Sequence, residues 1–98
     1  MDSQELMARL QPFLELSRRE GRPLEIIRIN DGLPGFPGTG YNVSLLAPWA
    51  VGLDWGEMMD IVLDILWRST DETLRTQLNG LDVVSRREDL APPYANWR

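Results

Sequence analysis

The sequence predicts an α+β fold, a two-layer sandwich in which a three-stranded antiparallel sheet carries its helices on one face. Two runs, residues 22–30 and 41–50, are rich in branched apolar residues or alternate apolar with polar ones, as strands do. Before and after this pair, longer stretches repeat apolar residues at helical spacing behind capping residues. The predicted order is α-β-β-α-α-β, in one domain over residues 1–90 with a C-terminal extension at 91–98.

The first helix is expected over residues 3–21, capped by Asp2 or Ser3 and ended by Gly21. Apolar residues recur in it at helical spacing, at Leu6, Leu10 and Phe13. Pro12 falls inside this pattern, where its ring removes one hydrogen bond and clashes with the preceding turn. We therefore expect one kinked helix. The alternative is that Pro12 opens a second helix at its first position.

The two strand-like runs follow this helix and are expected to pair as an antiparallel hairpin. Between them, residues 30–40 hold four glycines and two prolines, so we expect a long, stiffened loop at 31–40. A phosphate-binding glycine loop is disfavoured, because the prolines remove N–H donors and no lysine is present. We interpret the loop as a projecting contact that presents Leu33 and Phe36 to a partner. The alternative is that both side chains fold back over the core.

Residues 55–68 form the strongest predicted helix, with Asp54 and Glu57 in a capping-box pattern. Apolar residues cover most of its circumference, so we expect burial on more than one side, with Trp67 in the core. The second side would pack either within the chain or against a second copy of the chain. We expect a second copy, and therefore a homodimer. The remaining polar stripe, which includes Asp64 and Arg68, is interpreted as an exposed face with an ion pair rather than a metal site.

A second capping-box pattern, Ser69 to Glu72, predicts a short helix that Gly80 ends. The third strand then places Leu81 and Val83 on one face. A right-handed crossover through the helices would bring this strand beside the first strand and antiparallel to it.

Composition excludes several kinds of chemistry. All ten basic residues are arginine, and the chain has no cysteine, histidine or lysine, so disulfides, thiolate sites and lysine Schiff bases cannot form. We expect no cofactor, no metal site and no catalytic residue. The net charge of −5 disfavours binding to nucleic acid. No apolar run is long enough to span a membrane and no signal peptide is visible, so we expect a cytoplasmic protein.

These observations predict a small non-enzymatic protein-binding module: an inhibitor or immunity protein, an assembly chaperone or an accessory subunit. The residues expected to contact its partner are Leu33, Phe36, Trp49 and Trp55. For the two tryptophans, a place in the core is the alternative. Another candidate is an acidic decoy that mimics nucleic acid on a basic protein surface. A third is an enzyme that relies on carboxylates, arginine and hydroxyls, which would need a pocket holding a carboxylate of raised pKa.

Overall fold

The computed structural model describes residues 2–33 and 36–89, and of residues 32, 33 and 36–39 it describes the backbone only. Within these limits the chain is a small α+β fold with helices and a three-stranded mixed sheet. The helices are α1 (Ser3–Arg9), α2 (Gln11–Arg19), α3 (Trp55–Ser69) and α4 (Glu72–Arg75), the strands are β1 (Glu25–Leu33), β2 (Phe36–Leu46) and β3 (Leu78–Val84), and two 3-10 turns cover Pro48–Ala50 and Arg87–Asp89. The C-terminal extension at 91–98 lies outside the described residues.

The N-terminal segment forms two helices rather than one kinked helix, so that prediction is wrong and its alternative is correct. The break lies at Leu10, and Pro12 sits in the first turn of α2. In a first turn the missing proline N–H breaks no helical hydrogen bond. Asp2 caps α1 by accepting a 2.8 Å hydrogen bond from the backbone N–H of Glu5. Gly21, at φ +75°, follows the end of α2.

The long loop expected at 31–40 is not found, because β1 and β2 continue through most of it. The two strands pair antiparallel as far as Leu33 opposite Phe36, so only residues 34 and 35 lie between them. The pairing of the flanking backbone therefore outweighs the local preference of glycine and proline for loops. Gly40, at φ +115°, is a position in β2 that needs the conformational freedom of glycine.

The sheet is mixed, with the order β1-β2-β3, and the prediction of an antiparallel sheet is therefore wrong. β3 pairs with β2, in parallel, with Val43 opposite Leu81 and Leu45 opposite Val83. It does not lie beside β1 as expected. The segment through α3 and α4 carries the chain back along β2, so β3 runs in the same direction as β2 and takes its open edge. β3 also begins earlier than expected, so Gly80 lies inside it rather than ending α4.

Capping carboxylates fix the starts of α3 and α4. Asp54 accepts a 2.8 Å hydrogen bond from the N–H of Glu57, as the capping-box pattern predicts. For α4 the cap is Asp71, which accepts from the N–H of Leu74, rather than the expected Ser69. No described helix has the length and hydrophobicity that crossing a membrane requires.

The core is one cluster that joins the helices to the sheet. Its members from α1 and α2 are Leu6, Leu10 and Phe13, those from the strands are Tyr41, Val43, Leu45 and Val83, and those from α3 and α4 are Met58, Met59, Val62, Ile65, Leu66 and Leu74. The five residues of α3 lie on one side of that helix. Within one chain α3 is thus buried on one side only. Trp67, expected in the core, is 63% exposed.

Candidate protein-binding surface

A row of apolar side chains runs along α3 beside its buried side, at every fourth residue. We call this row the α3 ridge; it consists of Trp55, Met59, Leu63 and Trp67. At 3.6 residues per turn and about 1.5 Å per residue, each step of four turns the row by roughly 40°, so the row winds gradually around α3 over roughly 18 Å. Trp55 is 68% exposed, Leu63 38% and Trp67 63%, whereas Met59 is buried and joins the ridge to the core.

Exposed apolar residues continue from the N-terminal end of the ridge into the preceding turn. Val51 is 66% exposed and Leu53 is 38% exposed. Between them Gly52 adopts φ +91°, which turns the chain toward α3. Because the Asp54 cap fixes the first turn of the helix, Trp55 is presented from ordered backbone.

At the other end of the ridge, a cation lies against the ring of Trp67. The guanidinium carbon of Arg75 is 3.8 Å from the ring centroid. This distance is within the range of a cation–π interaction. Arg75 also donates a hydrogen bond to the backbone carbonyl of Thr70, which holds the guanidinium in place. One face of Trp67 is therefore oriented and covered, while most of its surface is exposed.

The two tryptophans predicted to contact a partner, Trp49 and Trp55, lie in different environments. The indole Nε1 of Trp49 donates a 2.8 Å hydrogen bond to the backbone carbonyl of Pro23, and its half-buried ring packs against the core cluster. Trp55 lies instead on the α3 ridge. The side chains of Leu33 and Phe36 lie outside the described part of the chain, and only the pairing of their backbones is known. As partner contacts, all four residues stay predictions.

The charges along α3 are unevenly distributed. Asp54, Glu57 and Asp60 are exposed in its N-terminal half, and the negative charge of Asp54 raises the pKa of the Glu57 carboxyl. Near the C-terminal end, Arg68 forms the expected ion pair with Asp64, with 2.9 Å between Nη2 and Oδ2. Among residues 2–33 and 36–89 there is no group of three or more side chains that could hold a metal ion.

A shallow cleft of about 310 Å³ lies between the α1–α2 junction and the C-terminal end of α3. Its lining residues are Ala8, Arg9, Pro12, Ser69, Thr70, Asp71 and Leu74. Its charged groups make structural contacts, since Arg9 pairs with Glu5 at 3.2 Å and Asp71 caps α4. The enzyme candidate would need a pocket that holds a carboxylate of raised pKa. Glu57 has a raised pKa but does not line this cleft.

Two ridge residues, Leu63 and Trp67, were not singled out from the sequence as contacts. The signal that could have identified them is the regular spacing of four from Trp55 to Trp67, on a helix with more apolar residues than one buried side requires. Comparison with known proteins finds no matching family model, no matching curated protein and no matching solved structure. The function is therefore inferred from the surface of this chain.

Proposed function

We propose that this protein is a small non-enzymatic binding module that acts by contacting another protein through the α3 ridge. The observation that carries the proposal is the pair Trp55 and Trp67, each about two-thirds exposed and held in one row on a capped helix. Tryptophan is enriched among the residues that dominate binding energy at interfaces. Exposed apolar side chains that are contiguous, rather than scattered, mark interaction sites.

The energetics of the ridge support this role. A tryptophan buries roughly 150–250 Å² in a contact, which at roughly 25 cal/mol per Å² gives a few kcal/mol for each of the two. The ridge also lies on a regular helix that packs against the core through Met59 and its neighbours. Little backbone entropy is therefore lost when a partner binds.

The arrangement of layers that we infer is consistent with an outward-facing ridge. Tyr41, Val43 and Leu45 alternate along β2 with Asn42 and Ser44, and the first three belong to the core cluster. We infer that the helices form a second layer over the face that these three residues share. In such a sandwich α3 lies on the outside of the molecule, so its unburied side can meet a partner without any change in the fold.

The ridge suits any of three roles: inhibitor or immunity protein, assembly chaperone, or accessory subunit. An acidic decoy is the second candidate and would instead contact its partner through carboxylates such as Glu57 and Asp60. Its binding would weaken steeply with salt, whereas binding through the ridge would change little. The clustering of the exposed tryptophans and leucine on α3 favours the ridge.

The experiment is affinity capture from a lysate of the native host, followed by reconstitution with the purified partner. It compares the intact chain with a Trp55→Ser/Trp67→Ser variant and with a control, Arg18→Ser/Asp82→Ser, which changes two exposed residues elsewhere. We expect the intact chain and the control to retain a partner that the ridge variant loses, at about 0.1 M and at about 1 M salt alike. Equal binding by the ridge variant would contradict the proposal. Loss of binding in high salt would favour the decoy.

A further inference from the structure

The order of side chains along the α3 ridge is nearly the same in both directions. We propose that the protein that covers it is a second copy of this chain, with the two α3 helices antiparallel. This inference rests on the proposed function and names the partner of that surface, so the partner retained in the capture experiment should be the host's own copy of this chain. It follows from three properties of the ridge: its symmetry, the distribution of charge along it and its size.

The symmetry is that of an isologous interface, in which a two-fold axis makes one surface contact itself. The ridge has a tryptophan at each end and an unbranched or γ-branched apolar residue at each inner position, at equal spacings of four. If the axis passes through the middle of the ridge, Trp55 of one copy lies opposite Trp67 of the second copy. The inner position opposite Leu63 is Met59, which is buried in its own chain, so Leu63 supplies most of the exposed apolar surface at the centre. Large side chains then meet at both ends and smaller ones in the centre.

The charge distribution selects the antiparallel orientation. Each α3 helix carries exposed carboxylates at its N-terminal end, Asp54 and Glu57, and has Arg75 against the tryptophan at the other end. Antiparallel packing places the guanidinium of Arg75 near the acidic first turn of the second copy, twice in each dimer. Parallel packing would place carboxylates near carboxylates. The helix dipoles also favour the antiparallel pair.

One group works against this dimer and provides a specific test. Asp60 is exposed and lies three residues before Leu63, on the same side of α3. An axis through the middle of the ridge brings the two Asp60 carboxylates of the dimer near each other, where like charges repel. The apolar area is also modest, a few hundred Å² per copy by rough account, which corresponds to the low end of specific interfaces. We therefore expect a dissociation constant in the micromolar range.

The first measurement is the molar mass by light scattering over a range of concentrations, from about 1 μM to about 1 mM. We expect the mass to rise from the 11.2 kDa of one chain to about twice that value. Trp55→Ser and Trp67→Ser should each weaken the dimer by about tenfold or more. Asp60→Asn should strengthen it, whereas Asp82→Asn, the same change at an exposed position on β3, should not. Circular dichroism and the Tm of each variant confirm that it is folded.

Orientation is tested by crosslinking, because the chain has no cysteine of its own. Single variants Trp55→Cys and Trp67→Cys are treated with a short bismaleimide, alone and mixed. In the antiparallel dimer the two cysteines face each other only in the mixture, so crosslinked product forms there and not with either variant alone. The mixed dimer retains one contact between Trp55 and Trp67 at its other end.

Three results would overturn the inference. These are a chain that stays monomeric up to about 1 mM, a dimer that is unaffected by both serine variants, and crosslinking of each cysteine variant by itself. Each of them leaves the proposed function to be decided by the capture experiment. If Trp55→Ser/Trp67→Ser also leaves capture unchanged there, then the ridge is not a contact surface at all.

Discussion

The guanidinium of Arg68 holds both carboxylate oxygens of Glu20, with Nη2 2.7 Å from Oε1, and so joins α3 to the end of α2 across 48 residues of sequence. Glu20 follows the last residue of α2, where the carbonyl end of the helix dipole disfavours a negative charge. Arg68 offsets this effect. Because the same guanidinium also pairs with Asp64, its side chain is held in one orientation.

This ion pair makes stability depend on pH in one direction. Hydrogen bonding to Arg68 lowers the pKa of Glu20 below its ordinary value of 4.5. The folded state therefore binds this proton less readily than the unfolded state, and the pair stabilises the fold above the unfolded pKa. The contribution is lost as the pH falls through the lower, folded pKa. Glu20→Gln should accordingly decrease the Tm near neutral pH and have no effect in strong acid.

The measurement is the Tm of the intact chain and of Glu20→Gln across this pH range. The matched control is Glu15→Gln, which removes a carboxylate whose 3.2 Å ion pair with Arg19 is well exposed on both sides. Such pairs contribute little to stability. A difference in Tm between Glu20→Gln and the intact chain that stays constant from neutral pH into strong acid would show that the effect does not come from the charge of Glu20.

Trp49 and Trp55 should differ in how replacement by phenylalanine affects stability. Trp49→Phe removes the hydrogen bond to the Pro23 carbonyl and should lower the free energy of unfolding by about 0.5–1.5 kcal/mol. Trp55→Phe changes a mainly exposed side chain and should leave it within about 0.5 kcal/mol. Urea denaturation at one fixed protein concentration measures both. A larger loss for Trp55→Phe would mean that this ring packs within the chain.

Much of the fold could be predicted because local patterns determine it. The alternation Tyr41, Val43, Leu45 and the Asp54 cap are visible in the sequence, and both are found in the structure. The position of β3 could not be predicted, because a strand after a crossover can join either edge of a hairpin. The full length of β1 and β2 could not be predicted from glycine and proline content, because that content reflects only local backbone preference. The pairing of Leu33 with Phe36 is instead a contact between two strands.

The candidate surface was only partly predictable, for a related reason. The sequence shows that α3 has more apolar residues than one buried side requires. It does not show which of these residues lie outside the core. That depends on how the helix is rotated on the sheet, which the buried set including Val62 and Ile65 fixes. Trp67, which its residue type and position placed in the core, lies outside this set, whereas Trp49 packs against the core cluster.

Leu66 and Leu63, on adjacent sides of α3, test this rotation. Leu66 is 4% exposed and Leu63 is 38% exposed. Leu66→Ala leaves a cavity and should cost about 2–5 kcal/mol, whereas Leu63→Ala should cost about 1 kcal/mol or less. The free energy of unfolding from urea titrations, at matched protein concentration, measures both. Equal losses would indicate that α3 is rotated differently or that a partner buries Leu63.

Among the glycines whose surroundings the structure describes, Gly40 should be the least tolerant of alanine, and Gly52 provides its control. Both have positive φ, +115° and +91°, so an added Cβ strains the backbone at either position, by about 1–2 kcal/mol. At Gly52 the Cβ would meet nothing within 4 Å, but at Gly40 it would lie 2.9 Å from Asn79 Oδ1 and from the Gln77 carbonyl oxygen. That carbonyl accepts a 2.8 Å hydrogen bond from the N–H of Tyr41, where β2 approaches the start of β3.

Gly40→Ala must therefore displace backbone as well as strain it, and we expect a further loss of about 1–3 kcal/mol relative to Gly52→Ala. Urea titrations of both variants measure the difference. Hydrogen exchange at the Tyr41 amide adds a local readout, since its protection should fall in Gly40→Ala and not in Gly52→Ala. Equal destabilisation with unchanged protection would mean that β2 and β3 do not approach each other this closely at Gly40, and that backbone strain alone explains both losses.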